Sequence, residues 1–253
     1  MKIASHVLYF NQDRWILDHI EMVAPFVEKI YVAWSELPWT YNPAARANFK
    51  NNSDPEFLKQ SPYYDKIELI KGTWNLDEEQ RNSCLEAAEK DGMDVLLIID
   101  ADEFYTKKAL AKVIDNIKQN PKHDTYIVPF FTYWKDLEHV LAGRDGNVSY
   151  SQLEVAMSLN KGNRFVRCRR PTGNKKIKFT SMCGHASYVL TDEECWSKIN
   201  IWGHAHQFNL NSWFNDKWKN WNENTLNLHP IEPSAWYKAI EIPKELDLAE
   251  VLK

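Results

Sequence analysis

The chain contains neither a G-x-G-x-x-G nor a G-x-x-x-x-G-K-[ST] segment. That absence argues against dinucleotide binding of the NAD type and against a P-loop, because both cradle phosphates on glycine-rich backbone. It also lacks a C-x-x-C pair: Cys84, Cys168, Cys183 and Cys195 lie far apart, a spacing that suits reduced thiols better than a disulfide frame or a structural zinc site. Long apolar runs are missing. The stretch Val95 to Ile99 is far too short to span a bilayer, and the amino terminus passes straight into strand-like sequence without a leader pattern, so the expectation is a soluble protein of the cytoplasm. A net charge of −4 provides no global basic field to draw it to nucleic acid or anionic lipid.

What is present is concentrated at residues 95–103, Val-Leu-Leu-Ile-Ile-Asp-Ala-Asp-Glu. A strand covered on both faces reads as a continuous apolar run, and the carboxyl ends of such strands open onto the crevice where α/β sheets bind ligands. Here the run ends in Asp100, Asp102 and Glu103. Like charges so close raise one another's pKa, so their grouping implies a compensating cation, most simply a hard divalent metal. A metal-bound diphosphate is the ligand this predicts.

Hydrophobic patterning predicts strands at residues 3–10, 29–34, 66–71 and 95–99, with helices after Asn11 and Asn75 acting as caps. Glu78 is placed for a capping box and Gly92 for a stop. Residues 35–64, with Pro38, Pro43, Pro55 and Pro62, predict an irregular segment long enough to act as a lid. A helix carrying Leu110, Val113, Ile114 and Ile117 precedes a strand at 126–133. Beyond it the pattern predicts strands near 165–169 and 186–190, helices near 193–199 and 212–222, and an extended tail at 230–243. The alternation of strands and helices predicts an α/β domain spanning residues 1–253, with a mixed, mostly parallel sheet flanked by helices. Residues 1–135 would form a nucleotide-binding half and 136–253 an acceptor-side half.

Arg81 shares a helical face with Cys84, Leu85 and Ala88. A permanently charged residue on a core-facing stripe needs an anionic partner, which Asp100 or a bound phosphate could supply. Arg164, Arg167, Arg169, Arg170, Lys175, Lys176 and Lys178 place seven cations within fifteen residues. Strand alternation would aim Arg167 and Arg169 to one face, suited to a polyanion such as DNA or lipid phosphate, while a solvated hairpin is the plainer reading. Aromatics make up 13% of the chain, and the tryptophans crowd its second half; they suit core packing or flat ligands such as sugars.

Asp100-Ala-Asp102-Glu103-Phe104, with Asn11 after the first strand and Glu79-Gln80-Arg81-Asn82 on the preceding helix, resembles the D-x-D layout of GT-A glycosyltransferases of family 2. Gly184-His185-Ala186-Ser187-Tyr188, Lys198-Ile199 and Gly203-His204-Ala205-His206 are similar to the carboxyl-terminal layout of family 17, which adds N-acetylglucosamine to glycans. The resemblance implies a GT-A fold and transfer of a hexosyl group from a nucleotide sugar, UDP-linked for preference, to a hydroxyl acceptor. It implies Mn²⁺ or Mg²⁺ held by Asp100, Asp102 and His204, and donor contacts from Asn11, Arg81, Asn82 and Asp100. Arg167, Arg169, His185 and Trp202 would meet an acceptor, with DNA or a lipid-linked glycan among its possible classes. Asp192 and Glu193 lie where family 2 enzymes keep a catalytic base, with Asp136 and Glu138 as other candidates. Two rival readings remain at this stage: a nucleotidyltransferase, which would need a basic glycine-rich loop after the first strand, and a non-catalytic binding module, which would leave the acid cluster without purpose.

Overall fold

This computed structural model describes residues 1–40, 43–201, 205–232 and 234–246. The first strand, β1 (Ile3–Tyr9), leads into α1 (Asp13–Val23) and β2 (Lys29–Trp34). After α2 (Pro43–Asn48) and two 3-10 turns come β3 (Ile67–Lys71), α3 (Asp77–Lys90) and β4 (Val95–Ile98). Next are β5 (Glu103–Phe104), α4 (Lys107–Gln119), β6 (Thr125–Trp134), β7 (His139–Ala142) and β8 (Ser151–Ser158). Short strands β9 (Phe165–Arg167), β10 (Arg170–Pro171) and β11 (Lys176–Lys178) precede β12 (Cys183–Tyr188). The chain continues through α5 (Asp192–Ile201) and α6 (Leu210–Trp213), which runs into a π-helical turn, to β13 (Lys238–Glu241).

The central sheet is mixed, in the order β13-β7-β6-β8-β4-β1-β2-β3, and its parallel half is β4-β1-β2-β3. β4, β1, β2 and β3 pair in parallel, and β8 joins β4 antiparallel. Because the chain winds outward from β1 to β3 and then returns to place β4 on the other side of β1, the order reverses between β1 and β4. That reversal opens a crevice at their carboxyl ends, the usual ligand position in such sheets.

Side chains alternate across the sheet with period two. Val7, Ile30, Val32, Val95, Leu97 and Ile99 face one core with the buried stripes of α1 and α4, whereas Ala4, Tyr31, Leu96 and Ile98 face Cys84, Leu85 and Ala88 of α3. Helices thus cover both faces, which explains the uninterrupted apolar run before Asp100. A third, aromatic cluster gathers Trp134, Tyr188, Trp213 and Trp218 near α5 and α6.

Several local expectations shift. Asn11 does not cap α1: it adopts φ +56°, and Gln12 holds the cap position without a side-chain bond. On α3 it is Glu79, not Glu78, that accepts from the Asn75 N–H, at 2.7 Å. Gly92, at φ +69°, closes α3, its N–H donating to Glu89 and that of Met93 to Ala88, a Schellman ending that a side chain at this φ would strain. Residues 35–64 contain α2 and a 3-10 turn at Pro55–Gln60. The segment is fastened to the β1 exit by Asn51, whose oxygen accepts from Asn11 and Ser53 and whose amide donates to Tyr9 and Ser35. Among the described residues no helix is long and apolar enough to cross a membrane.

Candidate functional site

β4 is buried at all four positions and hydrogen-bonded on both edges, so the chain can turn only once it clears the sheet. It turns at the acids: Glu103 N–H donates to Asp100 O at 3.0 Å, and β5 then pairs with β12, setting Glu103 opposite His185. The three carboxylates part company in that turn.

Asp100 receives the Arg81 fork, Nη1 to Oδ1 at 2.8 Å and Nη2 to Oδ2 at 3.1 Å, and Oδ2 also meets Arg169 Nη1 at 3.2 Å. Glu103, wholly buried, is held by both terminal nitrogens of Arg169, which donates further to the Ile98 and Glu154 carbonyls. Arg81 Nε reaches back one turn to Asp77 Oδ1 at 2.5 Å. Burial alone would raise the Asp100 carboxyl, but Arg81 and then Arg169 outweigh it and hold it far below the ordinary carboxylate range. The compensating charge expected for the acid cluster is therefore supplied to two of its three members by arginines. Both Asp100 oxygens accept from guanidinium groups in this arrangement.

Asp102 lines, together with Arg81 and Asp100, a cavity of about 590 Å³. Its Oδ1 lies 3.5 Å from His185 Nε2 and its Oδ2 3.8 Å from Lys198 Nζ. Lys198 is itself fixed by Ser187, donating to the carbonyl at 2.7 Å and the hydroxyl at 2.6 Å. Burial pushes the Asp102 carboxyl up, and His185 and Lys198 together more than reverse this. The cavity sits at the β1/β4 reversal. Its walls come from the β1 exit, the Leu37–Trp39 segment, α3, the acid turn, β12 and α5.

The neighbours Asp192 and Glu193 diverge because consecutive helical residues point about 100° apart. Glu193 lines the cavity, exposed and with no hydrogen bond or ion pair among the described residues. Asp192 accepts from Trp218 Nε1 at 2.9 Å and lies 3.8 Å from Lys135, outside the cavity lining. Asp136 is absorbed in a turn, accepting from the Glu138 and His139 N–H groups, and neither it nor Glu138 lines the cavity.

Asn11 and Arg81 line the cavity, and the Asn11 oxygen accepts from the Asn52 N–H at 2.7 Å. Asn82 does not line it: its amide brackets Phe165, donating to O and accepting from N, and so anchors β9 to α3. His185, expected near an acceptor, stands beside Asp102. Arg167 and Arg169 do not share a face, because Cys168 between them takes φ +51° and breaks the alternation; Arg167 is exposed while Arg169 turns inward to the acids. Of the other cations in that stretch, Arg164 pairs with Glu89 and Lys176 with Glu154. Trp202 and His204 lie outside the described residues.

Residues given no site role from the sequence complete the walls. Trp39 donates to Gln80 Oε1 at 2.9 Å, and Gln80 in turn donates to Ala33 O at 3.0 Å. Asp77, one turn before Arg81, carried a legible signal in its i, i+4 spacing. Lys198 was visible only in the family 17 likeness of Lys198-Ile199; its contacts were not, since Ser187 lies on β12 and Asp102 in the acid turn.

Among the described residues no three His, Cys, Asp or Glu side chains gather as a protein-built metal cage would require. Asp102 and His185 nevertheless present an oxygen and a nitrogen to one cavity at 3.5 Å. One carboxylate and one imidazole would leave the remaining positions of such an ion to substrate phosphates and water.

The sequence profile of glycosyl transferase family 2 matches residues 50–191. No curated protein sequence matches the chain. Among solved structures, S. aureus TarS aligns at TM-score 0.45 and 12% identity over 87% of this chain and 43% of its own. Glucosyl-3-phosphoglycerate synthase from Mycobacterium tuberculosis, in complex with Mn²⁺, UDP and glucosyl-3-phosphoglycerate, aligns at 0.34 and 12% over 52% of this chain and 44% of its own. 4-diphosphocytidyl-2C-methyl-D-erythritol synthase from Anaerococcus prevotii DSM 20548 aligns at 0.36 and 13%, over 62% and 70%. The chain thus spans less than half the length of the first two.

Proposed function

The chain belongs to glycosyl transferase family 2, and from that premise we propose that the cavity beside Asp102 binds the diphosphate of a nucleotide sugar and passes its sugar, a hexosyl group, to an acceptor hydroxyl. Asp102 and His185 would hold a divalent ion, Mn²⁺ or Mg²⁺, whose chemistry there is to offset the charge of the diphosphate. Lys198 adds a fixed positive charge on the same side. Arg81 and Arg169 keep Asp100 ionised and the turn rigid, so that Asp102 is presented in one place. Trp39, braced by Gln80, and the stapled segment behind Asn11 form the walls for nucleoside and donor sugar, UDP-linked for preference. Glu193, across the cavity, is the group we assign to take the proton of the attacking hydroxyl. Residues 1–135 and 136–253 then act as donor and acceptor halves of one domain.

The observation that carries this reading is the cavity itself: one carboxylate, Asp102, stands between an imidazole and an ammonium, and a carboxylate unpaired among the described residues, Glu193, shares the space. A polyanionic acceptor finds less support, because three of the seven clustered cations are paired with acids and none of the seven lines the cavity. A thermal-shift screen of UDP-, GDP- and TDP-sugars with and without Mn²⁺ tests the reading, since a ligand that binds only the folded state raises its melting temperature by mass action. At least one nucleotide sugar should raise Tm, and the increment due to Mn²⁺ should vanish in Asp102→Asn. No shift with any donor, with or without metal, would refute it.

A further inference from the structure

A second cavity, of about 190 Å³, adjoins the first and shares two wall residues with it, Ser187 and Lys198; the others are Tyr188, Ile199, His229 and Trp236. From its composition and its continuity with the donor cavity, we infer that it is the acceptor subsite and that the acceptor is a neutral sugar ring. The inference rests on the donor-cavity reading above and extends it to the chemistry of the acceptor.

The pocket is apolar on one side and polar on the other. Trp236 meets Tyr188 and His229 edge-on, with ring centroids at 5.2 and 4.3 Å, so neighbouring rings set its plane without stacking over it. Behind Tyr188 lie Trp134, Trp213 and Trp218, the last two of which are firmly placed, Trp213 donating to Leu228 O at 2.8 Å and Trp218 to Asp192. Paired backbone bonds, Asn227 to Tyr237 and Leu228 to Trp236, close the excursion that carries the platform. His229 Nδ1 accepts from the Ile231 and Glu232 N–H groups at 3.1 and 2.9 Å, which fixes the tautomer with hydrogen on Nε2. Ser187 and Lys198 provide the polar edge.

A pyranose has this same division, a face of C–H groups and a rim of hydroxyls. Among the described residues the pocket lining contains no carboxylate and a single cation, and that cation already donates to Ser187. A phosphorylated or nucleic-acid acceptor would need several free cations, and the clustered arginines and lysines of residues 164–178 line neither cavity. A ring seated on Trp236 has its rim toward Ser187 and Lys198, the boundary with the cavity that Glu193 lines.

Saturation-transfer NMR with D-glucose, D-galactose, D-mannose and N-acetyl-D-glucosamine tests this, alongside titration with UDP, GDP and TDP. At least one sugar should receive saturation on the C–H protons of one ring face. Its binding should weaken about tenfold or more in Trp236→Ala and Trp236→Leu and persist in Trp236→Phe, as expected when an aromatic face supplies on the order of 1.4 kcal/mol. Nucleotide binding by the variants reports that they are folded, and the leucine variant preserves bulk should alanine prove unstable. Absence of binding by all four sugars, or binding indifferent to removal of the aromatic ring, overturns the inference. Sugar binding without any nucleotide binding would instead overturn the donor-cavity reading and leave the sugar pocket standing.

Discussion

Replacing Arg169 with methionine would strip the wholly buried Glu103 of its guanidinium partner and Asp100 of one of two. Leaving a buried charge uncompensated costs about 3–5 kcal/mol, so urea unfolding should show a loss of that order. Arg167→Met, two residues away and exposed, should change stability by less than about 0.5 kcal/mol. Glu193→Gln should lower turnover by roughly 10²–10⁴-fold, the usual contribution of a positioned proton acceptor, with nucleotide affinity unchanged. Asp192→Asn should act on stability instead, through its bond to Trp218. At this scale the sequence was legible where a residue's environment is local. The acids at the end of an apolar run and Arg81 on a core-facing stripe could be read because strand and helix periods determine them. Arg169 and Asn82 could not: their partners lie 66 and 83 residues away, and the turn at Cys168 that redirects Arg169 has no signature in residue type.

Asn51 does for the 35–64 segment what a hinge pin does for a door, with all its amide hydrogen-bonding capacity spent on the β1 exit and the segment's own backbone. Asn51→Ala would leave several partly buried backbone groups without partners, at about 1–3 kcal/mol in stability. Limited trypsin digestion should show faster cleavage at Lys50 in that variant, and nucleotide affinity should fall because Asn52 and Ser53 wall the cavity. The regular elements were readable from their apolar periods: β2 begins and ends at Lys29 and Trp34 as expected, and all four apolar positions assigned to α4 are buried. Capping was less so, since Glu78 and Glu79 are both acidic and only the backbone geometry at Leu76 selects between them. Strands β7 and β8 escaped notice, Ser151–Ser158 having its burial decided by pairing with β4 and β6 and not by a strict alternation.

Across the whole molecule, two buried histidines on different elements link stability to acidity. Burial, aided by Arg81, lowers His6 to about 3, and burial against the opposing pull of Asp100 lowers His19 to about 4. Both stay neutral in the fold but take protons near 6.5 when the chain unfolds, so their contribution is complete above that pH and is lost as pH falls toward the folded values. At pH 5 the loss is about 2 kcal/mol for each. Unfolding free energies measured in urea at pH 7 and pH 5 should differ by roughly 4 kcal/mol from these two groups, and a pH-independent stability would contradict the assignment. The parallel order and the position of the crevice were legible because the β-α-β alternation leaves few topologies. The aromatic chamber beyond the crevice was not, since it is assembled from β12, α5, α6 and the return to β13, which meet only in three dimensions.

Lys198, with Ser187, belongs to both chambers and forms the slender partition between them. Shortening it in Lys198→Ala would knock the two rooms into one. Solvent entering by the aromatic side would then reach the activated sugar before an incoming alcohol could, and the variant should squander donor, releasing free sugar in greater proportion to glycosylated product than the wild type does.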